Sequence, residues 1–489
     1  MPYVLGIDVG TSRTRAAVCR NDTAGWSDPV PIPLGARNPG VPTVVYLAAD
    51  RSALVGDQAE RQAAGDPVRV ARGFPGRIGD HVPLVLGGVQ CSPQELTAVL
   101  VRWVVDRVAE HEGGPADAVV VTHPAAWGGH RKTLLHHELV RQELPDTTLL
   151  AEPIAVAEGC PARHVGDGDA LAVYGLGAGT ATSAVVRRTP AGRFDLLTDA
   201  TGADAVGGGH FDDAIVECVR AQLGRGALDD IDPADPQAWL AMARLRGMCT
   251  GAKEMLSAEA EVIVPVRLPD APADVRVSRT DFEDAIRPAV TAGADLLPRT
   301  VRAAGVEPTD LAAVVLTGGS VRVPLVAELV SAATPATALR AAEPELTVAL
   351  GAAVAARRIV TGPEPVIATR SETAEPTEVI ARSAIARYAG DHALDLVEVD
   401  DEFGVQPPAR PPVEILPIEL PAPPLVTRVL SNVRPATLTV STIALAAVGV
   451  VLTFVLQSGG HPTNPLQHLG PAQPAANRTT ATAPAPPGR

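Results

Sequence analysis

With 489 residues the chain is too long for one ordinary hydrophobic core, and two or three packing units are expected. Forty-one basic residues against 56 acidic ones leave a net charge of −15, which argues against a nucleic-acid partner, since phosphate backbones need a basic face. Aromatic residues make up only 3 % of the chain, so the core must be built from Val, Leu, Ala and Ile.

The N-terminus, Met1-Pro2-Tyr3-Val4-Leu5, has neither a basic stretch nor a long apolar run, and no signal peptide is expected. Cys19, Cys91, Cys160, Cys218 and Cys249 are scattered without a CxxC pair, the pattern of reduced, mostly buried thiols and not of a metal site.

In chain order, a short apolar strand is predicted over Val4–Asp8, followed by a helix over Pro93–His111 and a strand over Ala118–Thr122. A helix over Gly129–Gln142 and a strand over Leu171–Tyr174 come next. Helices are then predicted over Phe211–Leu223, Pro236–Ser257 and Arg279–Ala304, and a last strand over Ala313–Thr317. Strands this uniformly apolar belong in a sheet covered on both faces, so the fold class is α/β. Residues 361–435 carry proline runs such as Gln406-Pro407-Pro408 and read as an extended linker, with a short ordered piece around Thr377–Asp391. Ala436–Leu456 follows, 21 residues without a charge, long enough to span a bilayer as one helix. Arg428 and Arg434 precede it and no charge follows it directly. A single-pass anchor in the cell membrane is therefore expected, with the N-terminal body in the cytoplasm and a disordered tail, 457–489, outside. His123, His130, His136 and His137 read as surface or capping groups, and Trp103 and Trp239 as core.

Three glycine turns carry the chemical signal. Gly6-Ile7-Asp8-Val9-Gly10-Thr11-Ser12 ends a strand in an aspartate and turns through glycine into hydroxyls. Glycine admits phosphate oxygens close to backbone amides, hydroxyls add donors, and the aspartate suits a hydrated magnesium ion. Tyr174-Gly175-Leu176-Gly177-Ala178-Gly179-Thr180 repeats the scheme, and Thr317-Gly318-Gly319-Ser320 offers bare backbone to a flat base or ribose.

These segments resemble the phosphate-one, phosphate-two and adenosine motifs of the actin, sugar kinase and heat-shock ATPase superfamily. Further stretches are similar to the seventy-kilodalton heat-shock (DnaK-type) chaperones: Thr122-His123-Pro124-Ala125-Ala126-Trp127, Leu150-Ala151-Glu152-Pro153-Ile154-Ala155, Val206-Gly207-Gly208-Gly209-His210-Phe211-Asp212 and Leu316 to Pro324. The resemblance covers about residues 3–358 and implies an actin-like (ribonuclease H-like) ATPase of two lobes, 1–170 and 171–360, with ATP or ADP and Mg2+ between them. It implies that Asp8 orients a magnesium-bound water and that Gly10, Thr11 and Ser12 line the phosphates. Glu152 would stand by the metal and the hinge. Gly177, Ala178, Gly179 and Thr180 would form the second phosphate turn, with Gly207 and Gly208 beyond it. Lys253 would contact the nucleoside, and Gly318, Gly319, Ser320 and Arg322 would flank the adenine.

The departures from that pattern fall on the chemistry. Gly175 stands where the family has an aspartate that positions the attacking water, and Thr182 where a second acid is usual. Pro75 stands where a lysine meets the transferred phosphate, with Arg72 and Arg77 as the nearby cations. Thr250 and Glu254 replace a Glu and an Arg of the nucleoside helix. Slow or absent hydrolysis is expected. Residues 361–435 are too few and too proline-rich for a peptide-binding module. Three functions stay open: a chaperone-type ATPase with protein clients, a non-catalytic nucleotide-sensing scaffold with a membrane-associated partner, and a small-molecule kinase of the same superfold, the last disfavoured by Gly175.

Overall fold

The computed structural model describes residues 1–362 apart from 36–38, 64, 161–164, 199–200, 205, 225–235 and 268–271. The linker, the predicted membrane span 436–456 and the tail lie outside the described residues. Among the described residues no helix is long and apolar enough to cross a membrane.

Two mixed sheets repeat one scheme. In the first, β1 (Tyr3–Val9) pairs antiparallel with β2 (Arg13–Asp22) and parallel with β3 (Ala118–His123), which pairs parallel with β4 (Thr148–Ala151). In the second, β5 (Ala170–Leu176) pairs antiparallel with β6 (Thr180–Arg188) and parallel with β7 (Leu311–Thr317), which pairs parallel with β8 (Ala338–Arg340). Each sheet thus opens on a hairpin and grows by parallel strands on the hairpin's other side, which places the two glycine turns at equivalent corners. The central strands are buried on both faces, as their apolar runs predicted: every residue of β1 from Tyr3 to Asp8 is buried.

Helices fill the connections that parallel pairing demands. In the first half α1 (Pro93–Glu112) begins at a capping box, with the Ser92 hydroxyl accepting from the Glu95 amide and the Glu95 carboxylate accepting from the Ser92 amide, both at 3.2 Å. Its Val101, Val104 and Val108 join Leu5, Ile7 and Val121 in one core. In the second half α2 (Gly208–Leu223), α3 (Pro236–Leu256), α4 (Arg279–Ala294) and α5 (Leu296–Ala303) cover the sheet with a core that includes Phe211, Phe282 and Tyr174.

A third core joins the two halves. Helix α6 (Thr347–Thr361) lays Ala349, Ala352, Ala353 and Ala356 against Val4, Ala17 and Val120 of the first sheet and Leu171, Val173 and Val186 of the second. The backbones meet here with no room for side chains. A Cβ on Gly6 would stand 2.2 Å from the Ala353 nitrogen, and one on Gly351 would stand 1.7 Å from the Ala155 carbonyl oxygen. Near the helix end Arg357 donates to the Ser27 carbonyl of the first half, while Arg358 pairs with Glu158 at 2.6 Å and donates to the Gly192 carbonyl of the second.

The helix predicted over Arg279–Ala304 is two helices that meet at Asp295. Pro298 has no N–H to give the Ala294 carbonyl, so the ladder is interrupted there. Replacing Gly351 with alanine drives a methyl into the Ala155 carbonyl, which neither backbone can leave without moving α6. The expected loss is about 3 kcal/mol or more of unfolding free energy, read as a lower urea midpoint.

Candidate functional site

The turn between β1 and β2 is held from below. Thr43 donates to the Gly10 carbonyl at 2.8 Å and its amide to the Ser12 carbonyl at 2.9 Å, while Thr14 and Thr43 share a hydroxyl contact of 2.9 Å. Thr11 and Ser12, carrying the hydroxyls of the motif, stay exposed. The turn between β5 and β6 is tied from the other side. The Gly177 carbonyl accepts from the Gly208 amide at 2.9 Å and from the Ser320 hydroxyl at 3.0 Å, and the Ala178 carbonyl accepts from the Gly209 amide at 2.8 Å. The two turns face each other closely: a Cβ on Gly179 would lie 3.8 Å from Thr11 Cγ2.

The third turn abuts the second. Gly318 has φ +94 and a Cβ there would stand 2.4 Å from the Leu176 carbonyl oxygen, so both its backbone angle and its neighbour require glycine. Its amide donates to the Pro344 carbonyl at 3.0 Å. Lys253 reaches the same corner, donating to the Gly208 carbonyl at 3.1 Å and pairing with Asp212 at 2.8 Å. A Cβ on Gly208 would stand 2.8 Å from Ser320 Oγ and 3.2 Å from Lys253 Nζ. Gly207 sits equally close to the second turn, 2.7 Å from Ala178 O by the same measure. Arg322 makes a fork with Glu345 at 2.9 and 2.7 Å. Burial alone would push the Glu345 carboxyl up, but the Arg322 hydrogen bonds overcome it and hold it below the usual carboxylate range. Glu254, Ser257, Arg322, Arg340, Ala341 and Pro344 line a cavity of about 510 Å3, within the range of small-molecule sites.

At the floor lie two carboxyls. Asp8 is buried and accepts from Thr122 Oγ1 at 3.2 Å. Burial raises its pKa, and the Arg15 charge and the Thr122 hydroxyl pull it back. Glu152, at the N-terminus of the helix Glu152–Glu158, keeps an edge open to solvent but is surrounded by enough protein that burial, then the charge of Asp8, pushes its carboxyl up to about 8. Sequence reasoning found both acids, but missed their partners. Thr122 and Arg15 lie beside Asp8 by strand pairing, whereas Glu345, the partner of Arg322, comes from a segment with no motif of its own, and Asp212, the partner of Lys253, closes the Val206–Asp212 motif.

The remaining predicted residues divide. Pro75 is buried in the single turn Phe74–Arg77, which packs on α1. Arg72 and Arg77, the cations nearest to it in sequence, pair with Glu60 and Asp80 at the surface. Gly175 stands opposite Thr182 on the hairpin, and a Cβ there would be 2.6 Å from Thr182 Oγ1. His130, His136 and His137 are exposed as expected, but His123 is buried, because it ends the central strand β3 and stacks under Trp127 with ring centroids 5.6 Å apart. Burial pulls its pKa below the usual histidine value. Trp103 is half-buried against the first core, whereas the Trp239 side chain lies outside what is described.

The sequence profile of the Hsp70 protein family matches residues 79–368, more than half of the chain. The chain belongs to the Hsp70 family. Over 370 residues it is 28 % identical to the chaperone protein DnaK of Elusimicrobium minutum, covering 74 % of this chain and 58 % of that protein. It is 32 % identical over 375 residues to a chaperone protein HscA homolog of Pseudomonas putida, covering 72 % of this chain and 57 % of the relative. An HscA homolog of Azotobacter vinelandii is likewise 32 % identical, over 376 residues. The chain therefore spans a little under three fifths of the length of these Hsp70 relatives.

The residues present fit a nucleotide: two opposed glycine turns and, nearby, a cavity lined by Arg322 and Arg340. For a metal the fit is thinner. Among the described residues no group of three or more His, Cys, Asp or Glu could hold an ion directly, so Asp8 and Glu152 suit one held through water.

The raised carboxyl of Glu152 gives the fold a pH dependence. An acid whose folded pKa exceeds its unfolded value binds more protons when folded, so stability falls as pH rises between about 4.5 and about 8. Glu152→Gln removes that ionisation. Its melting temperature relative to wild type is expected to climb across this window and level off above it; a difference flat with pH would show that Glu152 ionises normally.

Proposed function

We propose that this chain is a membrane-tethered Hsp70-like nucleotide-binding protein that takes ATP or ADP between its two lobes and hydrolyses ATP weakly. The observation that carries this reading is the convergence of all three glycine turns, with Thr11 against Gly179 and Ser320 with Lys253 against Gly208. In it, amides of Gly10, Thr11, Ser12, Gly177, Ala178, Gly179 and Thr180 meet the phosphates, and Gly318, Gly319, Ser320, Lys253 and Arg322 meet the nucleoside. Gly207 and Gly208 let the helix N-terminus approach the second turn, adding its dipole. Bound through water to Asp8 and Glu152, Mg2+ would supply charge neutralisation of the phosphates.

Weak hydrolysis rests on what these positions lack. Phosphoryl transfer depends on positioning and charge, and the carboxylate that would orient water is replaced by Gly175. Losing one such group costs about 3–4 kcal/mol, or two to three powers of ten in rate. The tether rests on the uncharged stretch 436–456 and orients the nucleotide domain to the cytoplasm. Gly175 equally favours a second reading, a nucleotide-sensing scaffold that signals to a membrane-associated partner without turnover. A chaperone would instead engage unfolded protein clients.

Titrating the purified full-length chain with ATP and ADP, alongside a turnover assay, tests the core of this. Saturable binding with turnover near background is expected, and brisk turnover by the wild type would sink the claim of weak hydrolysis. Gly175→Asp alone meets the Thr182 hydroxyl and is expected to cost about 1–3 kcal/mol of stability. Paired with Thr182→Ala it is expected to recover stability and raise turnover; no gain would favour the scaffold. Recovery of the chain in the soluble fraction after cell lysis would overturn the tether.

A further inference from the structure

One cation in the cleft belongs to none of the motifs. Arg15 on β2 is the direct cross-strand partner of Asp8 on β1, so the two side chains leave the same face of the hairpin. That is also the face of Gly6, which lies against α6, so Arg15 emerges where the first sheet passes from the interlobe core into the cleft. Its stem is laid over Gly40, where a Cβ would stand 2.7 Å from Arg15 Cγ. Burial lowers its pKa, and the charges of Asp8 on the neighbouring strand and of Glu345 and Glu254 by the cavity act to raise it again. Among the described residues no hydrogen bond or close ion pair fixes the guanidinium, unlike Arg322 on Glu345, Arg72 on Glu60 or Arg77 on Asp80. Arg13, two residues earlier and on the same face, adds a second positive charge.

An arginine that is half-buried, charged and unfixed, beside two opposed glycine turns, has five donors in a planar fork suited to phosphate oxygens. We propose that Arg15 is the phosphate-binding cation of this cleft, doing from β2 what the buried Pro75 cannot do. This rests on the nucleotide reading above and deepens it. Arg15 binds and positions the phosphates, with its fork, free of any partner among the described residues, left to take their oxygens.

The test separates phosphate from base. Adenosine, AMP and ADP are titrated into the full-length wild-type chain and into Arg15→Gln and Arg15→Lys, with Arg72→Ala and Arg77→Ala as controls. The wild type is expected to bind ADP more tightly than adenosine. Arg15→Gln should lose about tenfold or more of ADP affinity while adenosine affinity stays within about twofold. Arg15→Lys should fall between, since it keeps the charge but not the fork, and both controls should match wild type. Should Arg15→Gln fail to give a cooperative melt, the decision passes to Arg15→Lys, whose ADP-over-adenosine preference must still shrink about threefold. A wild type that binds no ADP overturns the nucleotide reading together with this one. A wild type that binds ADP, with Arg15 variants that keep the full preference or lose adenosine equally, overturns the role of Arg15 alone.

Discussion

The two halves meet where backbone touches backbone. Gly6 on β1, Gly351 on α6 and the Ala155 carbonyl leave no space for a side chain, and the alanine face of α6 continues that contact along both sheets. Everything in the cleft hangs from this junction. Asp8 is two residues beyond Gly6, and Glu152 opens the helix that contains Ala155, so their separation is fixed by the same few ångströms. Small residues here serve approach and not volume, which is why a chain so poor in aromatics still builds a well-filled centre.

The duplication of one sheet scheme sets corresponding corners against each other, but the chemistry at those corners has diverged. The first hairpin keeps an aspartate at the end of its strand, and its partner across the ladder is an arginine. The second hairpin has Gly175 at the corresponding place, and its partner is Thr182. Fold symmetry therefore coexists with one-sided electrostatics: the first hairpin carries a charged pair where the second carries a glycine and a hydroxyl.

Much of this was legible in the chain. The uniformly apolar runs of β1, β5 and β7 and the glycine turns after them specify buried strands with tight exits, and the observed strands differ from the expected ones by no more than two residues at either end. The start of α2 was placed late because Gly207-Gly208-Gly209 reads as turn, although the helix begins at Gly208, whose amide is used to bind the second turn. Nothing in the sequence marks the small sheet of Val44–Leu47, Ala53–Val55 and Val70–Arg72, whose strands are too short for any period to register. Arg15 was hidden for a different reason. Its role follows from strand register, and register is visible only once the turn between Val9 and Arg13 has a fixed length and geometry.

The last turn of α6 is fastened to both halves by adjacent residues, Arg357 to Ser27 and Arg358 to Gly192 and Glu158. Gly362, at which the chain leaves the helix, is therefore not an inert exit. The two arginines lie four and five residues before it, so the helix end is tied to the flank of each sheet at once. The place where the chain leaves the helix is thus set jointly by contacts to both halves.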